Sequence, residues 1–183
     1  HPSIEPLITR LVHACGMPDI VPALTWDEAV IDTASAALQR GAPILCDCEM
    51  VAAGITRRFL PADNQVTVTL NDACVPALAK TLSTTRSAAA VTLWEPYLDG
   101  AIIAIGNAPT ALFAVLELIE RTRIQPAAIL GFPVGFVGAA ESKDALCEAA
   151  ACPFITLTGT RGGSALASAA VNALCRIATG DKQ

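Results

Sequence analysis

The chemistry open to this sequence rests on a short set of residues. Histidine occurs only twice, so His13 is the one imidazole inside the chain. Imidazole gives or takes a proton near neutral pH. Of the 12 cations, five flank runs of small residues: Arg57 and Arg58 beyond Gly54, Arg86 in Thr84-Thr85-Arg86-Ser87, Lys143, and Arg161 before Gly162-Gly163. Cations gathered at loop mouths suit an anionic small molecule. The seven cysteines are an odd number. Together with the absence of a secretory signal they predict reduced thiols and a cytoplasmic protein. Cys46-x-Cys48 would share a strand face, but no second cysteine pair has zinc-like spacing, so no metal site is expected.

One stretch organises the rest: Gly131-Phe-Pro-Val-Gly135-Phe-Val-Gly138-Ala-Ala-Glu-Ser-Lys143-Asp-Ala-Leu146. It follows the apolar run Ala127–Leu130 and leads into a helix expected over Asp144–Ala151, with Lys143 at the helix mouth. Its glycines permit positive φ and close approach of a ligand to the backbone, and free N–H groups at a helix start favour anions. A turn that merely packs helix on sheet is the alternative.

The elements that must hold these residues can be read along the chain. Ile4–Cys15 predicts a helix with Pro6 in its first turn. Leu7, Ile8, Leu11, Val12 and Cys15 form its apolar stripe, which leaves His13 facing solvent, a groove or another subunit. Thr25-Trp26-Asp27-Glu28 has capping-box spacing, predicting a helix over Trp26–Arg40 that Gly41 stops. Pro43–Val51 reads as a strand on which Asp47 and Glu49 share a face, towards solvent or at the wall of a cleft. Gln65–Leu70 alternates like a half-exposed edge strand. Helical signal covers Pro76–Leu82 and Arg86–Trp94, and Arg86 among hydroxyls is equally a helix start or a carboxylate receptor. Strand, small-residue loop and helix then repeat three times: Ala101–Gly106 with a helix through Arg121, Ala127–Leu130 with its loop and helix, and Phe154–Leu157 with Thr158–Ser164 and a helix over Ala165–Ile177. This predicts a three-layer α/β/α fold with a mostly parallel sheet, helices on both faces, and small-residue loops at the strand carboxyl ends. No linker interrupts residues 1–183, so one domain is expected.

Composition narrows the function. With 53% hydrophobic residues and net charge −5, the chain lacks the basic face that nucleic-acid binding needs. No apolar window reaches the 18 or so residues of a spanning helix, so no membrane partner is expected and the surplus of alanine is assigned to core and subunit contact. Gly131, Gly135 and Gly138 do not form G-x-G-x-x-G, and no P-loop is present, which argues against a nucleotide cofactor.

Several motifs together resemble one family. Arg10-Leu-Val-His13-Ala-Cys-Gly16, Asp47-Cys-Glu-Met50-Val-Ala-Ala-Gly54-Ile55, Thr85-Arg86-Ser87-Ala88, Gly106-Asn107-Ala108-Pro109-Thr110-Ala111-Leu112, Gly131–Lys143 and Arg161-Gly162-Gly163-Ser164 are similar, in order, to successive motifs of the precorrin-8X methylmutases. The resemblance implies a cofactor-free isomerase of corrin-ring biosynthesis. Such enzymes move a methyl group from C11 to C12 of the macrocycle, giving hydrogenobyrinic acid, or cobyrinic acid where cobalt is present. It further implies that His13 is the catalytic acid or base assisting a 1,5-sigmatropic shift, and that a homodimer shares its active site between subunits.

A polycarboxylate substrate implies roles for the loop residues. Arg57, Arg86, Lys143 and Arg161 would hold carboxylates, and Thr85, Ser87, Asn107, Thr110 and Ser164 would supply hydrogen bonds. Asp47 and Met50 would line the pocket, which Thr56, Gly135, Phe136, Val137, Gly162 and Gly163 complete. The family's N-terminal arm has no counterpart before His1-Pro2, so activity of these residues alone is expected to depend on it. A corrinoid carrier without catalysis would use the same pocket but place no demand on His13; an oxidoreductase with an atypical dinucleotide loop is the third alternative.

Overall fold

Strands β2 (Ile44–Cys46), β4 (Ile102–Ile105), β5 (Ala128–Gly131) and β6 (Phe154–Leu157) are short, and every one of their residues is buried. Such runs carry no polar alternation because parallel strands are covered on both faces. The structure, a computed structural model, describes residues 4–180; the opening His1-Pro2 lies outside them. The five parallel strands, including β3 (Val66–Val68), run β6-β5-β4-β2-β3, and β1 (Leu24–Trp26) adds an antiparallel edge beside β6. The sheet is therefore mostly parallel, as expected, and β3 is the half-exposed edge strand that its alternation predicts.

Alternate strand residues feed two cores. Ile44, Cys46, Ile102, Ala104, Ala128, Leu130, Ile155 and Leu157 face helices α1 (Glu5–Cys15), α2 (Val30–Gln39), α3 (Glu49–Gly54) and α8 (Ser164–Ala178). Leu45, Ile103, Ile105, Ile129 and Phe154 face α5 (Arg86–Thr92), α6 (Pro109–Thr122) and α7 (Ala139–Ala149). A smaller cluster joins α4 (Val75–Thr81) to α5. No described helix is long and apolar enough to cross a membrane.

Three expectations are corrected. The helix after the capping-box spacing begins at Val30, because Leu24, Thr25 and Trp26 pair with Leu157, Thr156 and Ile155. Asp27 turns the chain instead, its Oδ1 accepting from the Ala29 N–H at 2.8 Å. The strand expected over Pro43–Val51 stops at Cys46, and Glu49–Gly54 is helical. Apolar runs this short do not separate strand from helix by period alone. Asp47 and Glu49 consequently share no strand face. Finally, α7 starts at Ala139, after Gly138 at φ 80°, not at Asp144, which moves Lys143 from the helix mouth into the body of the helix.

Candidate functional site

The strand order reverses between β2 and β4: the chain goes from β2 outward to β3, then returns to place β4 on the other side. In open α/β sheets ligands bind outside the carboxyl ends of strands at such a reversal. Here that point is closed by a side chain. Asp47 follows β2, is buried, and accepts the N–H groups of Gly106, Asn107 and Ala108 at 2.9, 2.8 and 2.8 Å. The backbone anion site beside α6 is thus filled from within. Asp47 neither faces solvent nor offers its carboxylate to a ligand; it sets the position of Asn107 and of the first turn of α6.

The neighbouring loops are stitched to this point. Phe132 N donates to Ile105 O, Val134 N to Asn107 O and Gly135 N to Thr160 O at 2.7, 3.4 and 3.1 Å, and Gly163 N donates to Phe132 O at 2.8 Å. Gly162 sits so close to the carbonyl oxygens of Phe132 and Pro133 that a Cβ could not be placed there. Gly106 is similarly enclosed: a Cβ would meet the Ser164 Cα at 2.7 Å. Close backbone approach is the reason for glycine at both positions. Thr85 caps α5 by accepting the Ala88 N–H, and its hydroxyl donates to the Thr110 hydroxyl at 2.9 Å. Cys48 Sγ lies 3.6 Å from the Ser164 hydroxyl. The structure therefore brings together Asp47, Thr85, Asn107, Thr110, Gly135, Gly162, Gly163 and Ser164 along one edge of the sheet. Phe136 and Val137 project from it, 96% and 89% exposed, and Met50 on α3 is 73% exposed.

The cations expected to hold carboxylates are placed differently. Arg86 donates to Leu70 O and Asn71 Oδ1, both at 3.2 Å, which ties α5 to the loop beyond β3. Arg161 pairs with Asp19 at 2.6 Å, and this guanidinium holds the Asp19 carboxyl below its usual range. Lys143 is fully buried and donates from Nζ to the Arg161 carbonyl at 2.7 Å, so it staples the glycine loop and does not stand at a helix mouth. Burial lowers its pKa to about 8, with the Asp144 charge opposing the shift. Between that value and its unfolded one near 10.4 the unfolded chain binds more protons, so stability should rise with pH there. Urea midpoints measured from pH 7.5 to 10 should climb for the native protein relative to Lys143→Met; parallel curves would mean that the ammonium is not desolvated.

Thr56, Arg57 and His13 lie elsewhere. His13 is exposed in the last turn of α1, which packs along α8. It opens onto a groove of about 240 Å³ whose polar walls are Arg10, Asn172 and Arg176, with Phe59 alongside. Thr56 reaches the same flank, its N–H donating to Asn172 Oδ1 at 2.8 Å, and Arg57 opens the 3-10 turn Arg57–Phe59. Asn172 lies eight residues into α8 beyond Ser164, about 12 Å along the helix. The imidazole and the loop edge thus form two patches on one chain. Arg10, Phe59, Asn172 and Arg176 were missed from the sequence, although Arg10 and His13 at i and i+3 share a helix face.

Cys46, Cys152 and Cys175 are among the buried cysteines. Burial pushes the Cys152 and Cys175 thiols up to about 12 and raises Cys46 further, away from the thiolate that ligation or attack requires.

A family profile described as precorrin-8X methylmutase matches residues 1–177. The chain belongs to the precorrin-8X methylmutase family. It is therefore an isomerase, of the kind that serves cobalamin biosynthesis. Over 172 residues it is 54% identical to the precorrin-8X methylmutase of Pseudomonas aeruginosa, an alignment covering 93% of this chain and 83% of that one. The cobalt-precorrin-8 methylmutase of Methanocaldococcus jannaschii is 37% identical over 176 residues, covering 96% and 80%. The solved precorrin-8X methylmutase of Thermus thermophilus superimposes with a TM-score of 0.88 at 37% identity, covering 98% of this chain and 88% of that one.

Proposed function

We propose that this methylmutase acts on metal-free precorrin-8X, with His13 as its proton donor, and forms hydrogenobyrinic acid in the cytoplasm. The observation that carries the reading is the exposed imidazole opening onto a groove walled by two guanidiniums. A proton moved from His13 onto the conjugated ring would make it more electron-poor, assist migration of the methyl from C11 to C12, and be given up again, so the reaction is a net isomerisation. Histidine suits both directions of that transfer. Because the migrating group never leaves the molecule, the remaining rate enhancement comes from holding the ring in a reactive conformation. The metal-free substrate is supported by the 54% identity to a precorrin-8X enzyme, against 37% to a cobalt-precorrin-8 enzyme.

The separation of His13 from the loop edge supports a site shared between two subunits. One protomer would contribute His13, and its partner the Asn107, Gly135–Val137 and Arg161–Ser164 loops. Met50, Phe136 and Val137 are large exposed apolar groups of the sort that a subunit or a flat macrocycle covers. Sedimentation equilibrium that finds only monomer at assay concentrations would remove the shared site. The test of the activity is direct: incubation with precorrin-8X should replace its spectrum with that of hydrogenobyrinic acid, at unchanged mass. Binding without conversion would leave a carrier.

A further inference from the structure

Lys143 is a costly residue to find at the base of the glycine loops. It is fully buried in the body of α7, yet no carboxylate pairs with it among the described residues. Asp144, the charge that opposes the loss of its proton, is exposed on the same helix. Lysine is almost never buried without a partner, because its ammonium is expensive to desolvate. A methionine would fill the same space without that cost. We propose that Lys143 is a positioning residue for the methyl shift: from beneath the loop its ammonium orients and polarises the Arg161–Gly162 peptide, and so holds the Gly162 N–H out towards the bound corrinoid. The inference rests on the methylmutase reading, with the Arg161–Ser164 loop facing the ring.

The orientation follows from the peptide group. Its C=O and N–H point in opposite directions across a planar trans bond, and no described peptide is cis. The Arg161 carbonyl accepts from Lys143 Nζ at 2.7 Å on the buried side. The Gly162 N–H of the same peptide therefore points away from Lys143, and no protein group accepts it among the described residues. Its neighbours in the loop are committed: the Thr160 carbonyl accepts from the Gly135 N–H at 3.1 Å, and the Gly163 N–H donates to Phe132 O at 2.8 Å. The Arg161 side chain is engaged by Asp19. What the loop has left to offer a ligand here is main chain, at a glycine that packing against the Phe132 and Pro133 carbonyls keeps free of a Cβ. A carbonyl that accepts from a charged donor polarises its own peptide, which makes the N–H on the far side a stronger donor. A polycarboxylate substrate supplies the counter-charge that Lys143 lacks within its own chain.

The experiment reads that one amide directly. Labelling with carbonyl-¹³C arginine and ¹⁵N glycine selects Arg–Gly pairs, of which the chain has two, Arg40-Gly41 and Arg161-Gly162. The Gly41 N–H is already bonded to Leu38 O at 3.0 Å and serves as the control, its signal identified by its loss in Arg40→Lys. On saturation with hydrogenobyrinic acid the Gly162 amide proton should move downfield while Gly41 stays in place. In Lys143→Met that response should be lost, and kcat for precorrin-8X should fall about 10-fold or more, because the ring is no longer held in its reactive position. A lysine that is only structural would change the melting temperature and leave both the response and kcat within about 2-fold of wild type. That result would overturn the inference, as would a wild-type Gly162 amide that product does not move. Should Lys143→Met fail to fold, Lys143→Gln, which keeps an uncharged donor, replaces it with a smaller loss expected; a glutamine variant indistinguishable from wild type would overturn the role of the charge. Wild type that neither converts precorrin-8X nor binds the acid would remove the methylmutase reading, and this inference with it.

Discussion

Replacing His13 by alanine should lower the rate of precorrin-8X conversion by roughly 10²- to 10⁴-fold, the usual worth of a positioned acid–base group. The protein itself should barely notice. His13 is exposed in the last turn of α1, outside the stripe in which Leu7 and Leu11 are buried. Alanine is the better helix former, and surface changes of this kind stay within about 0.5 kcal/mol. Product affinity should hold within a few-fold, because the loop edge and the rest of the groove remain. The separation of a lost rate from a retained fold and retained binding is the informative outcome, read from single-turnover kinetics alongside a product titration. A variant that converts within 3-fold of wild type would leave the family assignment intact and remove His13 as the proton donor. A variant that loses binding and rate together would make His13 a ligand contact and nothing more.

The second large effect is on stability. Asp47→Ala should cost about 3–5 kcal/mol, because one carboxylate serves three N–H groups at the reversal of the strand order. Hydrogen bonds to a charged group exceed the ordinary, and a donor left unpaired in a buried place carries its full desolvation cost. For a chain of this size the unfolding midpoint should fall by roughly 10 °C or more. Asp47→Asn should be destabilised as well, since the amide keeps one good acceptor and turns an NH₂ towards a backbone donor. Calorimetry on both variants checks this. A loss below about 1 kcal/mol for alanine would mean that water replaces the carboxylate and that the Gly106–Ala108 turn holds itself.

These two residues show what was legible and what was not. His13 was legible twice: its position off the apolar stripe set it outside the core of its own helix, and the motif around it pointed to the family. Asp47 was visible only as an acidic residue on what read as a strand. Its partners are three N–H groups about 60 residues later in the chain, and no local pattern signals a bond of that span. Lys143 failed for a related reason. The loop glycines suggested a late helix start, but Gly138 completes the turn and the alanines beyond it are already helical, which sends the lysine inward to the Arg161 carbonyl.

By itself, the sequence determined the class of fold, the mostly parallel sheet with helices on both faces, the half-exposed edge at β3, and the membership in a family of corrin isomerases. Periodicity and short motifs are properties of neighbouring residues, and these conclusions need nothing more. Only the tertiary structure decided which protein partners the loop cations take. It turned Arg86, Lys143 and Arg161 towards protein partners, closed the strand reversal with Asp47, and set Arg10 and Arg176, from the first and last helices of the chain, beside His13. The physical reason is common to all of them. A charged side chain commits to whichever partner the packing of distant elements brings within about 3 Å, and that distance is fixed by the fold as a whole.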